Sequence, residues 1–394
     1  MTEQTSTLYF RAKLVALTIF MGVLSGCGAS SPFYADDADR PGSQPDTVEN
    51  NEATFSLFLI GDTGAPGTDP LEPNLQALQH HLNAASEQSA VVFLGDNIYS
   101  DGLLPQDHPE RAESERRIDA QIQMLENFQG RVIFIPGNHD WNSDEPGGWE
   151  AIKRQQTYIE DRLGDGTFLP KDGCPGPVEV RLDSSNTLLV LDTQWWLYPH
   201  DKPGLENCPF GSKDRFIAGV DSLLKHNTTK NLFVTGHHPF YSNGTHNGFF
   251  PFSEHLFPLL DYSPYLYLPL PIYGSITPWY RKYVGYRQDL AGNEYRQLRS
   301  RLTDVFSQYP NLVYATGHDH NLQHHQIGDQ HYVISGAGTV ERYARKGRSA
   351  SFAYTHKGFA RIDISERDVQ LTFWTPEGES EHGRLVYETI LYEY

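Results

Sequence analysis

Apolar residues in this chain recur in short blocks, several of which end on glycine. FSLFLI (55–60) runs into GDTG, AVVFL (90–94) into GDNIY, and RVIFI (131–135) into PGNHD. NLFVT (231–235) runs into GHHP and NLVYAT (311–316) into GHDH. Short apolar runs rich in branched and aromatic residues and bounded by glycine predict buried strands. Between them the period changes. NLQALQHHLNAASE (74–87), AESERRIDAQIQMLENF (112–128) and NEYRQLRSRLTDVFSQY (293–309) have helical spacing and predict amphipathic helices. TLLVLDT (187–193) predicts a further strand, and HYVIS, GFARIDI and VQLTFWT add strands near the C-terminus. Strands alternating with helices predict βαβ units and a largely parallel sheet.

Two segments break this rhythm. Residues 247–290 are dense in proline, tyrosine and leucine, a composition that argues against a regular helix or a central strand. Such an insertion either walls a site, lies against a membrane or partner, or packs onto the flank of its own domain. At the N-terminus, Arg11 and Lys13 precede the apolar run LVALTIFMGVL and then SGCG. Basic residues, a short apolar run and small residues have the layout of a secretory signal, and the run is too short to span a bilayer comfortably. Leu24-Ser25-Gly26-Cys27 resembles a bacterial lipobox, in which the cysteine is lipidated. The expectation is a signal over 1–27, a disordered acidic tether over 28–53, and a single domain over 54–394 that carries the insertion. Export implies an oxidising compartment, which favours a disulfide between the two remaining cysteines, Cys174 and Cys208.

Charge narrows the partners. The 394 residues carry a formal net charge of -19. That argues against nucleic acid, which favours basic surfaces, and gives no general attraction to anionic lipid. Membrane contact is expected through Cys27 instead, at the bacterial cell envelope.

The chemistry lies where the strands stop. Asp62, Asp96, Asn138 with His139, His237, and His318 with His320 each follow an apolar block and a glycine. In open α/β sheets ligands bind beyond the carboxyl ends of strands, and glycine lets the chain bend there. One such turn means little, since Asp and Asn are common turn residues. Five in order point to one crevice. Carboxylate, amide and imidazole donors suit hard to borderline first-row metals, and a pair of such ions suits in-line displacement at phosphorus. Asp96 is placed to bridge them. Tyr99, three residues on, adds a phenol whose ordinary pKa is about 10, so only a strongly Lewis-acidic ion such as Fe(III) would deprotonate it near neutrality.

GDTG, GDNIY, GNHD, VTGH and GHDH, in this order, resemble the five blocks of the purple acid phosphatases within the calcineurin-like metallophosphoesterase superfamily. GHDHNLQ followed by YVISGAG is most similar to the small, tartrate-resistant type. The resemblance implies an α/β fold, a four-layer α/β/β/α sandwich with two facing mixed sheets. It implies two metals: Fe(III) held by Asp62, Tyr99, His320 and bridging Asp96, and a divalent ion (Fe, Zn or Mn) held by Asn138, His237, His318 and the same bridge. It also implies that His139 and His246 face substrate, and that a small phosphate monoester is hydrolysed by metal-hydroxide attack. A phosphodiesterase or nucleotidase could use the same site, and a non-catalytic envelope protein could retain it. His80 and His81 are expected on a helix surface, His238 adjoins a proposed ligand and is expected to line the pocket, Asp140 orients His139 or caps a turn, and the basic run ERYARKGR (341–348) either attracts phosphate or is a solvated loop. The insertion falls right after His246, on the side where substrate should enter, so substrate preference does not carry over.

Overall fold

The computed structural model describes residues 31–36, 40–41, 53–68, 71–227, 229–261, 263, 265–378 and 380–394. The signal-like segment and Cys27 lie outside them, as does most of the expected tether. The strands are β1 Phe33–Tyr34, β2 Phe55–Ile60, β3 Ser89–Phe93, β4 Arg131–Phe134, β5 Val178–Arg181, β6 Asn186–Val190 and β7 Asn231–Thr235. They continue as β8 Val313–Thr316, β9 Leu322–Ile327, β10 Gln330–Ser335, β11 Ala350–Tyr354, β12 Phe359–Ile364, β13 Asp368–Glu377 and β14 Ser380–Glu393. The helices are α1 Pro73–Ala84, α2 Arg111–Gln123, α3 Gly148–Leu163, α4 Thr193–Leu197, α5 Lys213–His226, α6 Phe252–Leu256, α7 Pro271–Gly274, α8 Ile276–Tyr283 and α9 Asn293–Phe306.

The strands form two sheets, one in the order β14-β13-β12-β2-β3-β4 and the other β1-β11-β9-β10-β8-β7-β6-β5. Both are mixed rather than largely parallel. β2, β3 and β4 are parallel, as are β6, β7, β8 and β10, and crossovers lead into β3, β4, β7 and β8. The late strands pair antiparallel because tight connections such as Gly328–Asp329 leave no room for a crossover.

Period-2 alternation explains the layering. On β2 and β3, Leu57, Leu59, Ala90 and Val92 join an apolar cluster with Leu188, Val190, Phe233 and Val333 of the other sheet. Phe58, Ile60, Val91 and Phe93 point the opposite way, into a cluster with Leu75, Leu78 and Leu82 of α1. The sheets therefore face one another across one apolar layer, with helices outside, the sandwich that the resemblance implied.

Three details depart from the sequence expectations. Phe33–Tyr34, inside the expected tether, is paired with β11, because the Tyr34 ring packs on Phe352 and Tyr387 and its hydroxyl donates to the Val386 carbonyl at 2.6 Å. His81 is not a surface residue. It continues the Leu75–Leu78 stripe of α1 and packs its ring on Phe359 and Trp374. The insertion does hold helices: Pro271 and Pro278 lie in the first turns of α7 and α8, where an N–H has no intrahelical partner to lose. Cys174 and Cys208 are joined in a disulfide.

Candidate metal centre

Each sheet delivers a different chemistry to the same edge of the sandwich. β2, β3 and β4 end on Asp62, Asp96 and Asn138, the carboxylates and the amide; β7 and β8 end on His237, His318 and His320, the imidazoles. Asp62, Asp96 and His318 adopt left-handed backbone with φ of 59°, 54° and 67°. Such conformations cost non-glycine residues on the order of 1 kcal/mol or more, and they gather where function needs a side chain aimed sharply. The glycines beside them leave space for the donors. A Cβ on Gly137 would sit 2.3 Å from Asp96 Oδ1, and one on Gly317 would sit 2.5 Å from Asp62 Oδ2.

The donor atoms fall into two groups. In one, Tyr99 Oη lies 2.9 Å from Asp62 Oδ1 and 3.2 Å from His320 Nε2, and the latter two are 3.3 Å apart. In the other, Asn138 Oδ1 lies 3.1 Å from His237 Nε2 and 3.0 Å from His318 Nδ1, with 3.2 Å between the imidazoles. Asp96 stands between them, its Oδ1 3.4 Å from His237 Nε2.

The far sides of the rings set which nitrogen is free. His237 Nδ1 donates to the Leu94 carbonyl at 2.8 Å, and His318 Nε2 donates to the Gln288 carbonyl at 2.8 Å. Each bond leaves the lone pair of the inward nitrogen available to a cation, the usual support for a metal-ligating histidine. His320 Nδ1 is buried with no hydrogen-bond partner among the described residues. His238 lies close enough to His237 and His318 to count as a third donor. Its nitrogens are already engaged, Nδ1 with Thr193 Oγ1 at 2.8 Å and Nε2 with Gln288 Oε1 at 2.7 Å, so it is packing rather than ligand or pocket wall.

The electrostatics suit a cation. Burial works to protonate Asp96, but His237 and His139 outweigh it and hold the carboxyl well below the ordinary range. Burial, then the charges of Asp62 and Asp96, push the Tyr99 phenol well above its usual value. These donors fit two hard or borderline ions: carboxylate and phenol oxygens on one side, amide and imidazoles on the other, with a shared carboxylate.

His139 and His246, the two histidines expected to face substrate, both border this centre. His139 Nε2 is 3.9 Å from Asp96 Oδ2, while its Nδ1 bonds to the Ser100 carbonyl at 2.6 Å. The His246 ring stacks on His318 with centroids 3.9 Å apart. His246 Nδ1 donates to the Gln288 carbonyl at 2.9 Å and faces Asp289 Oδ1 at 3.2 Å. Asp289 also accepts from Arg281 Nε at 2.9 Å. Burial tends to raise the Asp289 pKa, but the bonds from His246 and Arg281 prevail and lower it, so the carboxylate stays charged behind the imidazole. Asp140 does not orient His139. It ties two ligand turns together, accepting from the Gly137 and Asn97 amides and from Gln155.

A cleft of about 340 Å³ opens over the centre, bordered by His246, His318, His320, Phe250, Arg281 and Arg342. Arg342, from the run 341–348, and Arg281 and Glu254, from the insertion, stand at the mouth. Sequence reasoning named all nine residues that meet here. It missed Arg281, Gln288 and Asp289, whose only signal was a polar stretch closing an otherwise apolar insertion.

A family model described as calcineurin-like phosphoesterase matches residues 55–264. Purple acid phosphatase 17 of Arabidopsis thaliana is 20% identical over 360 residues, 87% of this chain and 87% of the relative. Among solved structures, that of GAP50, the anchor in the inner membrane complex of Plasmodium, is similar at a TM-score of 0.54 and 14% identity, covering 87% of this chain and 90% of that one. The structure of PhoD is similar at a TM-score of 0.49 and 12% identity, over 86% of this chain and 72% of that one. The likeness to GAP50 bears on the fold alone.

Proposed function

We propose that this chain, which belongs to the calcineurin-like phosphoesterase family, is an exported acid phosphatase that uses two metal ions to hydrolyse phosphate monoesters. Membership makes it a hydrolase of phosphoric esters; the monoester, the two ions and the export are our reading. The observation that carries the reading is the two donor groups on either side of Asp96, each closed to within about hydrogen-bond distance. Asp62, Tyr99, Asp96 and His320 would hold Fe(III). Asn138, His237, His318 and Asp96 would hold Fe, Zn or Mn as the divalent ion. Bound there, the ions would supply a hydroxide from water at acid pH and offset charge on phosphorus.

The remaining work falls to the chain's own groups. Arg281 and Arg342 draw the anionic ester to the cleft mouth. His246, held through Nδ1 by the Gln288 carbonyl and Asp289, presents Nε2 to the cleft and can give a proton to the departing alkoxide. His139, fixed through Nδ1 by Ser100, presents its other nitrogen from the opposite side. The Cys174–Cys208 disulfide supports export to an oxidising compartment. The start of the chain, with LSGC at 24–27, supports lipid anchoring at Cys27 in the bacterial envelope.

Metal analysis and a visible spectrum, paired with turnover of a chromogenic monoester and diester between pH 4 and 8, test the reading. We expect two metals per chain and monoester turnover. Preferred diester turnover would replace the monoesterase by a phosphodiesterase or nucleotidase, and metal-loaded protein without turnover of either would leave a binding protein.

A further inference from the structure

Among the described residues, twelve of the fourteen exposed large hydrophobic side chains lie between Phe252 and Tyr286. The most exposed are Tyr265 (87%) and Ile272 (86%), with Tyr267, Tyr273, Trp279 and Tyr283 each more than half exposed. Exposed apolar groups so concentrated in one segment of a chain mark an interaction site. Helix α8 shows the inversion most clearly. Ile276, Trp279 and Tyr283, at i, i+3 and i+7, share one face and point to solvent. Its cations turn inward: Arg281 binds Asp289, and Lys282 Nζ donates to the Asn247 carbonyl at 3.1 Å. An isolated protein in water would reverse that arrangement.

Charge identifies the occupant. In a chain of formal charge -19, cations collect at the edge of this segment. The Arg345 and Arg348 guanidiniums lie 5.4 and 5.1 Å from the Phe249 ring centroid. Lys346 Nζ in the same loop donates to Ser31 Oγ at 3.3 Å. The described chain thus begins beside this edge. Tyrosine, tryptophan and aliphatic side chains rimmed by Lys and Arg are the composition of groups that sit at headgroup depth on an anionic bilayer. No helix among the described residues is long and apolar enough to cross one.

We propose that the face formed by residues 265–286 rests on an anionic lipid surface, with its aromatic rings at headgroup level. Arg281, on the inner side of α8, borders the catalytic cleft, so docking holds the cleft mouth near the bilayer. The inference depends neither on the hydrolytic reading nor on lipidation of Cys27.

The test uses the full chain with vesicles of phosphatidylethanolamine and phosphatidylglycerol carrying brominated acyl chains, which quench only tryptophans that reach the lipid. Wild type should lose fluorescence on these vesicles, and Trp279→Phe should remove most of that loss. The variant Tyr265→Ser/Ile272→Ser/Trp279→Ser should bind vesicles about tenfold more weakly, or more so, with turnover of a soluble monoester unchanged. Equal quenching in wild type and Trp279→Phe, or no binding to vesicles, overturns the proposal. So does concentration-dependent dimerisation in lipid-free solution that the triple variant abolishes, which would assign the face to a second copy of the chain.

Discussion

Single side chains decide which ion the centre takes and how it handles protons. Tyr99 is the sharpest case. Its phenol is buried, faces two carboxylates and is therefore held well above its ordinary pKa. A weakly acidic divalent ion would leave that proton in place, and a ferric ion would displace it. We expect a purple or pink absorption band that Tyr99→Phe abolishes while hydrolysis survives in part; a colourless wild type containing only zinc or manganese would overturn the ferric assignment. On the proposed reading, Asp289 positions His246. With Asp289→Asn, His246 and Arg281 lose their shared charge, and kcat should fall roughly 10–100-fold, within the range a positioned acid contributes, while elemental analysis finds the metals unchanged. The nine site residues were legible because each ligand stands behind a strand and a glycine, or at a fixed offset from one. Gln288 and Asp289 were not. They reach the histidines only through the path of the insertion, and no periodicity in the sequence encodes that path.

Elements with a clean period were readable, and those with a diluted one were not. β2 and β7 match their apolar blocks residue for residue, FSLFLI at Phe55–Ile60 and NLFVT at Asn231–Thr235. Helix α3 went unread because buried Gln155 and Gln156 interrupt its apolar stripe. β14 went unread because its register against β13 shifts at three places, which breaks the alternation. The insertion was misjudged from its prolines, which start helices there rather than stopping them. The disulfide is an element-scale device of a different kind. It joins the loop before β5 to the loop before α5, positions separated by 34 residues that share no strand ladder. Closing a loop of that size in the unfolded chain is worth about 3–4 kcal/mol in the entropic account. Cys174→Ser/Cys208→Ser should therefore lower unfolding free energy by about that amount in denaturant titrations, with the metal content of the folded protein intact.

At the scale of the whole molecule, the sandwich and the chemistry make opposite demands on pH. The proposed reaction would run in acid, yet the body of the protein buries several histidines away from the centre. His81, His325 and His331 are each pushed down to about 4, in every case chiefly by burial, and His324 is pushed well below its ordinary value, by burial and then by His331. His324 and His331 stack on adjacent strands of one sheet, with Nε2 of one 3.1 Å from Nδ1 of the other, so they cannot both be charged comfortably. The sign follows from proton uptake. Above pH 6.5 these groups are neutral in both states and cost nothing. Between 6.5 and 4 the unfolded chain binds protons that the folded chain refuses, so stability falls with pH, by about 1.4 kcal/mol per unit for each fully titrating group. Asp192 and Asp140 work the other way: burial pushes them up to about 7 and about 6, so the folded chain takes up protons there that the unfolded chain does not. Four histidines less two carboxyls leave a net slope on the order of 3 kcal/mol per unit, against a total stability of roughly 5–15 kcal/mol. Unfolding free energy, measured in denaturant with metals chelated so that pH-dependent metal release does not enter, should fall from pH 7 to pH 5. In His325→Gln, whose side chain can keep a partner at Ser349 or Gln323, the slope should flatten by about one proton. Stability that stays level over this range would show that the buried histidines accept protons without opening the sheet. If the slope is found, the acid limb of phosphatase activity should coincide with loss of the fold, and activity lost below about pH 4 should return only on refolding.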